Sequence, residues 1–313
     1  IESKLETVPS DFLGKASRID ALEMYIDFCK STVKQNFNLR GMRIALDCAN
    51  GATYHLAPKI FTEMGAEIVV LGISPDGFNI NRDVGSTSIS ALVQTVKDNN
   101  VDLGIAFDGD GDRVLFVDHE GEIVDGDELL YLLALQKQSS VGIEGVVGTE
   151  MSNLGLEKAL QDAEISFCRA KVGDRYVKQM MRERGWLLGG ESSGHIICGD
   201  VTTTGDGIVA ALQVLYALEC AGCGLRDSLQ GMQKYPQCLI NVPSAPYSII
   251  EDPRILREVE TVQKKLGSYG RVLIRPSGTE PVIRVMVEAE DSKVAQSVCN
   301  GLARKIQATF SKI

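Results

Sequence analysis

The sequence has little of what would tie a chain to a polyanion, a bilayer or a zinc site. Positive charge is outnumbered: 32 Lys and Arg face 42 Asp and Glu, a formal net charge of −10. That balance argues against nucleic acid and anionic membranes as partners. Any phosphate must then be met by local clusters of Arg, Lys and backbone N–H. No long hydrophobic run is present. The longest apolar stretch, Ile208 to Leu218, is broken by Gln213 and is too short to span a bilayer. There is no signal-peptide pattern, which makes the cytosol the default location, and no low-complexity segment. The chain opens at Ile1 rather than Met, which predicts a fragment or a processed product. Histidine is scarce, and His55 and His119 have no evident partners in the sequence and read as structural or surface residues. The eight cysteines are scattered, mostly in apolar contexts where a free thiol acts as a small hydrophobe. Cys220-Ala-Gly-Cys223 is a lone C-x-x-C, without the second pair or nearby His that a zinc site needs.

What is present is an ordinary globular mixture, 44% hydrophobic and 24% charged over 313 residues, enough for two or three domains. Residues 1–40 read as a polar lead-in and a linker helix around Ile19 to Val33, with Leu22, Tyr25, Ile26 and Cys29 at helical spacing. Strands and helices then alternate. Strands are expected at Arg43 to Cys48, Glu67 to Leu71 and Val101 to Ala106. Helices are expected at Ala52 to Met64 and, with Ser88 as N-cap, at Ile89 to Lys97. A similar unit follows, although without a residue-level repeat. Its expected helices are Asp127 to Gln138, Asn153 to Asp162, Asp174 to Glu183 and Asp206 to Leu218. Its expected strands are Gly145 to Val147, Ile165 to Arg169 and Trp186 to Leu188. Past Tyr235-Pro236 the rhythm changes to strands at Leu239 to Val242, Arg271 to Arg275 and Val282 to Val287, with helices at Pro253 to Leu266 and Lys293 to Phe310. The expected fold is α/β: two consecutive α/β domains with mixed, largely parallel sheets, at 41–125 and 126–236, then a small α+β C-terminal domain at 237–313.

The stretch with the clearest chemistry is Phe107-Asp108-Gly109-Asp110-Gly111-Asp112-Arg113. Apolar strands flank it, so it reads as a tight loop at the carboxyl end of a strand, where ligands sit in such sheets. Three carboxylates this close repel one another unless a cation sits among them, and they are hard ligands suited to Mg²⁺ or Ca²⁺. A solvated acidic turn would be flanked by polar linker instead. An EF-hand would need Gly where Arg113 stands, Glu where His119 stands, and helices on both sides. Arg113 beside a metal implies an anion between them, and so a phosphate.

Three further stretches carry polar groups at turns. Gly189-Gly190-Glu191-Ser192-Ser193-Gly194-His195 offers a carboxylate, hydroxyls and an imidazole that could grip sugar hydroxyls; the bland alternative is a Gly-rich turn with its His packed. Arg275-Pro276-Ser277-Gly278-Thr279-Glu280, with Arg284 just beyond, has the composition of a phosphate cradle. Lys171, in Lys171-Val172-Gly173-Asp174-Arg175, is either a positioned acid or base near a phosphoryl oxygen or an exposed loop lysine. Thr202 to Gly207 is explained by capping of the helix that follows.

With the Asp108 to Arg113, Gly190 to His195 and Arg275 to Glu280 stretches in this order across nearly the whole chain, the sequence resembles the α-D-phosphohexomutase superfamily. The stretches 169–177, 202–209 and 277–288 are most similar to the members that interconvert glucosamine 6-phosphate and glucosamine 1-phosphate on the route to UDP-N-acetylglucosamine and the cell wall; Ser192 stands where the family more often has Asn or Gln. The resemblance implies an isomerase working through a phosphoserine and a bisphosphorylated sugar, with a homodimer as an option for the intact enzyme. It implies that Asp108, Asp110 and Asp112 hold Mg²⁺, that Arg113 and Lys171 are catalytic, that Glu191, Ser193 and His195 hold the sugar, and that Arg275, Ser277, Gly278, Thr279 and Arg284 hold the non-reacting phosphate. The family's serine loop, of the type Ala-Ser-His-Asn-Pro, is absent and no Ser-His pair occurs in the chain, so the expectation is three of four domains that cannot turn over alone. The alternatives are a phosphomannomutase/phosphoglucomutase, a non-catalytic sugar-phosphate-binding module, and a metal-dependent hydrolase with Asp108 as nucleophile.

Overall fold

The computed structural model describes residues 7–243, 250–277 and 281–310. The linker helix α1 spans Leu22–Ser31 and buries Ile26 and Cys29. It is shorter than the apolar spacing suggested, because Asp20 accepts the Leu22 N–H at its start and Thr32 caps its end. The first sheet holds β1 (Arg43–Asp47), β2 (Glu67–Leu71), β3 (Leu103–Phe107), β4 (Val114–Asp118) and β5 (Ile123–Val124), in the order β2-β1-β3-β4-β5. Helices α2 (Leu56–Glu63) and α3 (Ser90–Asn99) make the crossovers between its parallel strands. The β3–β4 and β4–β5 pairs are antiparallel, so this sheet is mixed, as expected, with β2, β1 and β3 as its parallel part. The acidic loop is itself the reversal that joins β3 to β4.

The second sheet repeats this plan. Helix α4 (Gly126–Ser140) leads to β6 (Gly145–Thr149), α5 (Leu154–Asp162), β7 (Ser166–Ala170), α6 (Asp174–Arg184), β8 (Leu188–Gly190) and β9 (Ile196–Cys198). The order is β7-β6-β8-β9, parallel except for the final β8–β9 hairpin, which carries Glu191 to His195. Strand β9 was not expected; three residues are too few to show a pattern. Helix α7 (Gly207–Ala221) buries every residue from Gly207 to Leu218 except the half-buried Tyr216. It is the shared core element of the two sheets, packing on β3, β4, β9 and α4, which explains why its sequence is apolar all round. The short helix α8 (Leu225–Ser228) follows. The last sheet is antiparallel, β10 (Gln237–Pro243), β12 (Val282–Ala289) and β11 (Gly270–Pro276) in that order, with α9 (Pro253–Leu266) and α10 (Ser292–Phe310) over a separate core.

Several expected boundaries moved for local reasons. Helix α2 starts at Leu56 rather than Ala52, because residues 51–54 turn against the acidic loop and Ala52 N–H donates to the Gly109 carbonyl (2.8 Å). Ser88 does not cap α3: its N–H closes a turn onto Gly85, and Ile89 takes the cap position without a side-chain bond. Trp186 lies outside β8, its N–H returning to Met181 at the end of α6. His55 packs on Tyr54, and His119 lies at the surface beside Glu120. Among the described residues, no helix is long and apolar enough to cross a membrane.

The last sheet is bolted to the second by one arginine. Arg271 on β11 donates to the carbonyls of Glu150 (2.6 Å) and Ser152 (2.9 Å) and to Glu288 Oε2 (2.9 Å). Glu288 is fully buried and also receives the Leu154 N–H at the start of α5. Nearby, buried Asp127 accepts the Asn153 N–H (2.8 Å) through Oδ2, while its Oδ1 has no hydrogen-bond partner. Burial first, and the neighbouring Asp125 charge second, push the Asp127 carboxyl up to about 7.

Two outcomes follow from this junction. Arg271→Met leaves Glu288 buried without its cation and is expected to lower unfolding free energy by about 3–5 kcal/mol, read by chemical denaturation. Asp127 binds a proton in the folded chain that it releases, when unfolded, near pH 4. Its contribution to stability is therefore full below about pH 4 and is lost as pH rises through about 7. Asp127→Asn should unfold at a higher temperature than the parent at pH 8 and show no such gain at pH 4.

Candidate active site

Asp108 to Arg113 must reverse the chain between β3 and β4 within a few residues. Gly111 takes φ +78°, a conformation that L side chains rarely adopt. The turn brings one oxygen each from Asp108, Asp110 and Asp112 within 4.8 Å of one another. Asp108 is buried, Asp112 half-buried and Asp110 exposed. Arg113 closes the loop. Its N–H donates to Asp108 Oδ1 (3.1 Å), and its Nε lies 3.6 Å from Asp108 Oδ2 and 3.7 Å from Asp112 Oδ1. Burial pushes the Asp108 carboxyl up to about 6, against the Arg113 hydrogen bond and with help from the charges of Asp112 and Asp110. Asp112 Oδ1 is buried without a hydrogen-bond partner. Three hard donors converging in this way, one of them unsatisfied, fit a divalent cation.

The β8–β9 hairpin lies directly on this loop. Gly194 has φ +93°, and a Cβ there would come 2.2 Å from the Val114 carbonyl oxygen. Lacking one, the hairpin packs against β4, and Val114 N–H donates to the Gly194 carbonyl (3.0 Å). His195 is buried, with Nδ1 3.0 Å from Asp112 Oδ2 and Gly205 pressed on its ring. That nitrogen is committed to the acidic loop, where the sequence had suggested a hydrogen bond to sugar. Glu191 is half-buried, its Oε1 accepting the Gly173 N–H (2.9 Å), and Ser193 is exposed. The Glu191 contact draws in the Lys171 to Arg175 loop, on which Lys171 is exposed.

In the last sheet, Arg275 and Arg284 stand directly opposite each other on β11 and β12. Like charges in register are unfavourable unless an anion is shared between them. Arg275 Nε is buried without a hydrogen-bond partner, and burial, then the Arg284 charge, holds its pKa below the usual arginine range. Ser277 is buried, and its N–H closes the turn onto Val282 (2.9 Å). Gly278 and Thr279 lie outside the described residues.

Two supports had not been singled out. Within the Thr202 to Gly207 stretch it is Asp206 that caps α7, accepting the Val209 N–H (3.0 Å). Tyr25 Oη on α1 donates to the same carboxylate (2.9 and 3.0 Å), and Gly207 N–H donates to the Gly111 carbonyl (2.8 Å). An Asp-Gly before an apolar run signals a cap, but nothing local to Tyr25 announces a partner 181 residues away. Asp47, at the end of β1, is fully buried and accepts from Ala49 (3.0 Å) and Gly85 (2.7 Å), fixing the loop beside the acidic turn.

Sequence profiles of the phosphoglucomutase/phosphomannomutase α/β/α domain II, α/β/α domain III and C-terminal domain match residues 23–121, 125–235 and 239–305. With these matches, the chain belongs to the phosphoglucomutase/phosphomannomutase family of α-D-phosphohexomutases, and so to the phosphosugar mutases, which are isomerases. It is similar to the phosphoglucosamine mutase of Cellvibrio japonicus, 54% identical over 99% of this chain and 71% of that protein. The phosphoglucosamine mutase of Aeromonas salmonicida is 52% identical over 99% of this chain and 70% of that protein. Among solved structures, the Aspergillus fumigatus N-acetylphosphoglucosamine mutase in complex with GlcNAc-6P and magnesium shares the fold with TM-score 0.72, at 20% identity, over 90% of this chain and 68% of that one. A phosphoglucomutase/phosphomannomutase family protein from Burkholderia thailandensis gives TM-score 0.75 at 21% identity, over 92% of this chain and 64% of that one.

The contact between the two hairpins can be tested with one methyl group. Gly194→Ala is expected to lower stability by more than about 1 kcal/mol, through both positive φ and the clash with Val114. It should also shrink the rise in melting temperature produced by added Mg²⁺ or Mn²⁺, because His195 no longer holds Asp112 in place.

Proposed function

We propose that this chain is the metal- and sugar-phosphate-binding part of an enzyme that interconverts glucosamine 6-phosphate and glucosamine 1-phosphate, feeding UDP-N-acetylglucosamine and cell-wall synthesis, with Mg²⁺ held by Asp108, Asp110 and Asp112. The observation that carries the reading is the joint between the acidic loop and the Glu191 to His195 hairpin, Asp112 to His195 at 3.0 Å, which sets a cation site beside groups able to hold a sugar. The similarity to named phosphoglucosamine mutases supports the choice of sugar.

In this reading Glu191 accepts hydrogen bonds from the sugar through the oxygen that Gly173 does not occupy, with Ser193 beside it. His195 acts from behind, orienting Asp112. Arg113 directs its remaining N–H groups at the transferred phosphoryl, and Lys171 supplies a charge or a proton there. Charge on that phosphoryl would be offset by Mg²⁺ when it is bound. Arg275, Ser277 and Arg284, with Gly278 and Thr279, hold the phosphate that is not reacting. The sugar turns over between two phosphoryl transfers. The serine that carries the phosphoryl group is not among these residues, since no Ser-His pair occurs in them.

The 313 residues alone should therefore bind glucosamine 6-phosphate with Mg²⁺ but show no turnover by ³¹P NMR; a normal rate from them would overturn the placement of the serine. In a chain that includes the serine-bearing loop, Asp110→Asn, at an exposed position that folding does not need, should lower kcat by about 10²–10³. The same chain should favour glucosamine phosphates over glucose or mannose phosphates by at least about tenfold in kcat/KM. Equal use of mannose phosphate would transfer the assignment to a phosphomannomutase/phosphoglucomutase.

A further inference from the structure

A cleft of about 440 Å³ lies between α6, the end of β9 and the loop at 199–203, and none of the acidic-loop residues lines it. Its floor is apolar: Met181 and Ile197 are buried there, and the half-buried Trp186 indole forms one wall. Its rim is basic. Lys178 and Arg182 border it, and both continue into an adjoining surface groove with Arg175. Glu183, a carboxylate on that groove, is already engaged by Gln179 (2.8 Å). Neither Lys178 nor Arg182 has a carboxylate partner among the described residues, and the Arg184 guanidinium adds a further cation 5.7 Å from the Trp186 ring centre. Thr202 and Thr203 also line the cleft.

An unpaired basic rim is unexpected on a chain of net charge −10, where acidic partners are abundant. Set over an aromatic and aliphatic floor of ligand-pocket size, it matches a molecule with a flat ring at one end and phosphates at the other. We infer that this cleft binds a nucleoside phosphate, with the base against Trp186 and the phosphates on Lys178 and Arg182.

Trp186 is the sole tryptophan in the sequence, so its fluorescence reports this cleft directly. Titration with ADP and with UDP is expected to quench it saturably, with adenosine and inorganic phosphate at least about tenfold weaker, since each supplies half of the recognition. Lys178→Ala/Arg182→Ala, both at exposed positions, should keep the parent's melting temperature and weaken nucleotide binding at least about tenfold. Trp186→Phe, followed by calorimetry, should retain weakened binding. No saturable quenching up to about 10 mM nucleotide, equivalent to only a few kcal/mol of affinity, would overturn the inference. So would unchanged affinity in the double variant, or equal binding of phosphate alone.

Discussion

The site depends on one close approach, the seating of the β8–β9 hairpin on the β3–β4 hairpin. Val114 and Gly194 share a backbone hydrogen bond at 3.0 Å, and the space for it exists only because residue 194 has no Cβ. That approach lets His195 reach Asp112, and Asp112 is one of three carboxylates that must be held together against their own repulsion. A backbone contact between two sheets thus sets the geometry of a charged centre. Helix α7 locks the arrangement from below, with its N-terminal Gly207 bonded to Gly111 and its cap, Asp206, bonded to Tyr25 on the linker helix.

The first two sheets use the same device: the loop of chemical interest is the tip of an antiparallel hairpin, 108–113 in the first sheet and 191–195 in the second. A hairpin at the edge of the parallel strands puts a short connection at the strand ends, where polar side chains are presented from a rigid base. Half-buried Arg271, paired with buried Glu288, then carries the third sheet on the second through backbone carbonyls of the 150–152 turn.

Charge placement says as much as shape. The chain gathers like charges where an isolated fold would separate them: three aspartates around one point, and two arginines in cross-strand register. Both arrangements are unfavourable in the bare protein: burial first, and the neighbouring like charges after it, raise the Asp108 pKa and lower that of Arg275. Groups kept at such a cost are expected to meet a counter-charge supplied by ligand.

The sequence by itself determined most of the element order, the change from α/β to α+β after Tyr235, the crowding of three carboxylates at one turn and the presence of two arginines on the strands of the last sheet. These rest on local periodicity, on glycine at reversals and on charge density, all of which act over a few residues. The start of α2 was not legible, because the distant Gly109 carbonyl sets it, and the strand Ile196–Cys198 is too short to show a pattern. Only tertiary structure decided that His195 serves Asp112, that Tyr25 holds Asp206 and that Arg271 joins the last two sheets. Each of these pairs residues far apart in the chain, and a hydrogen bond across such a distance leaves no trace in the local pattern of either partner.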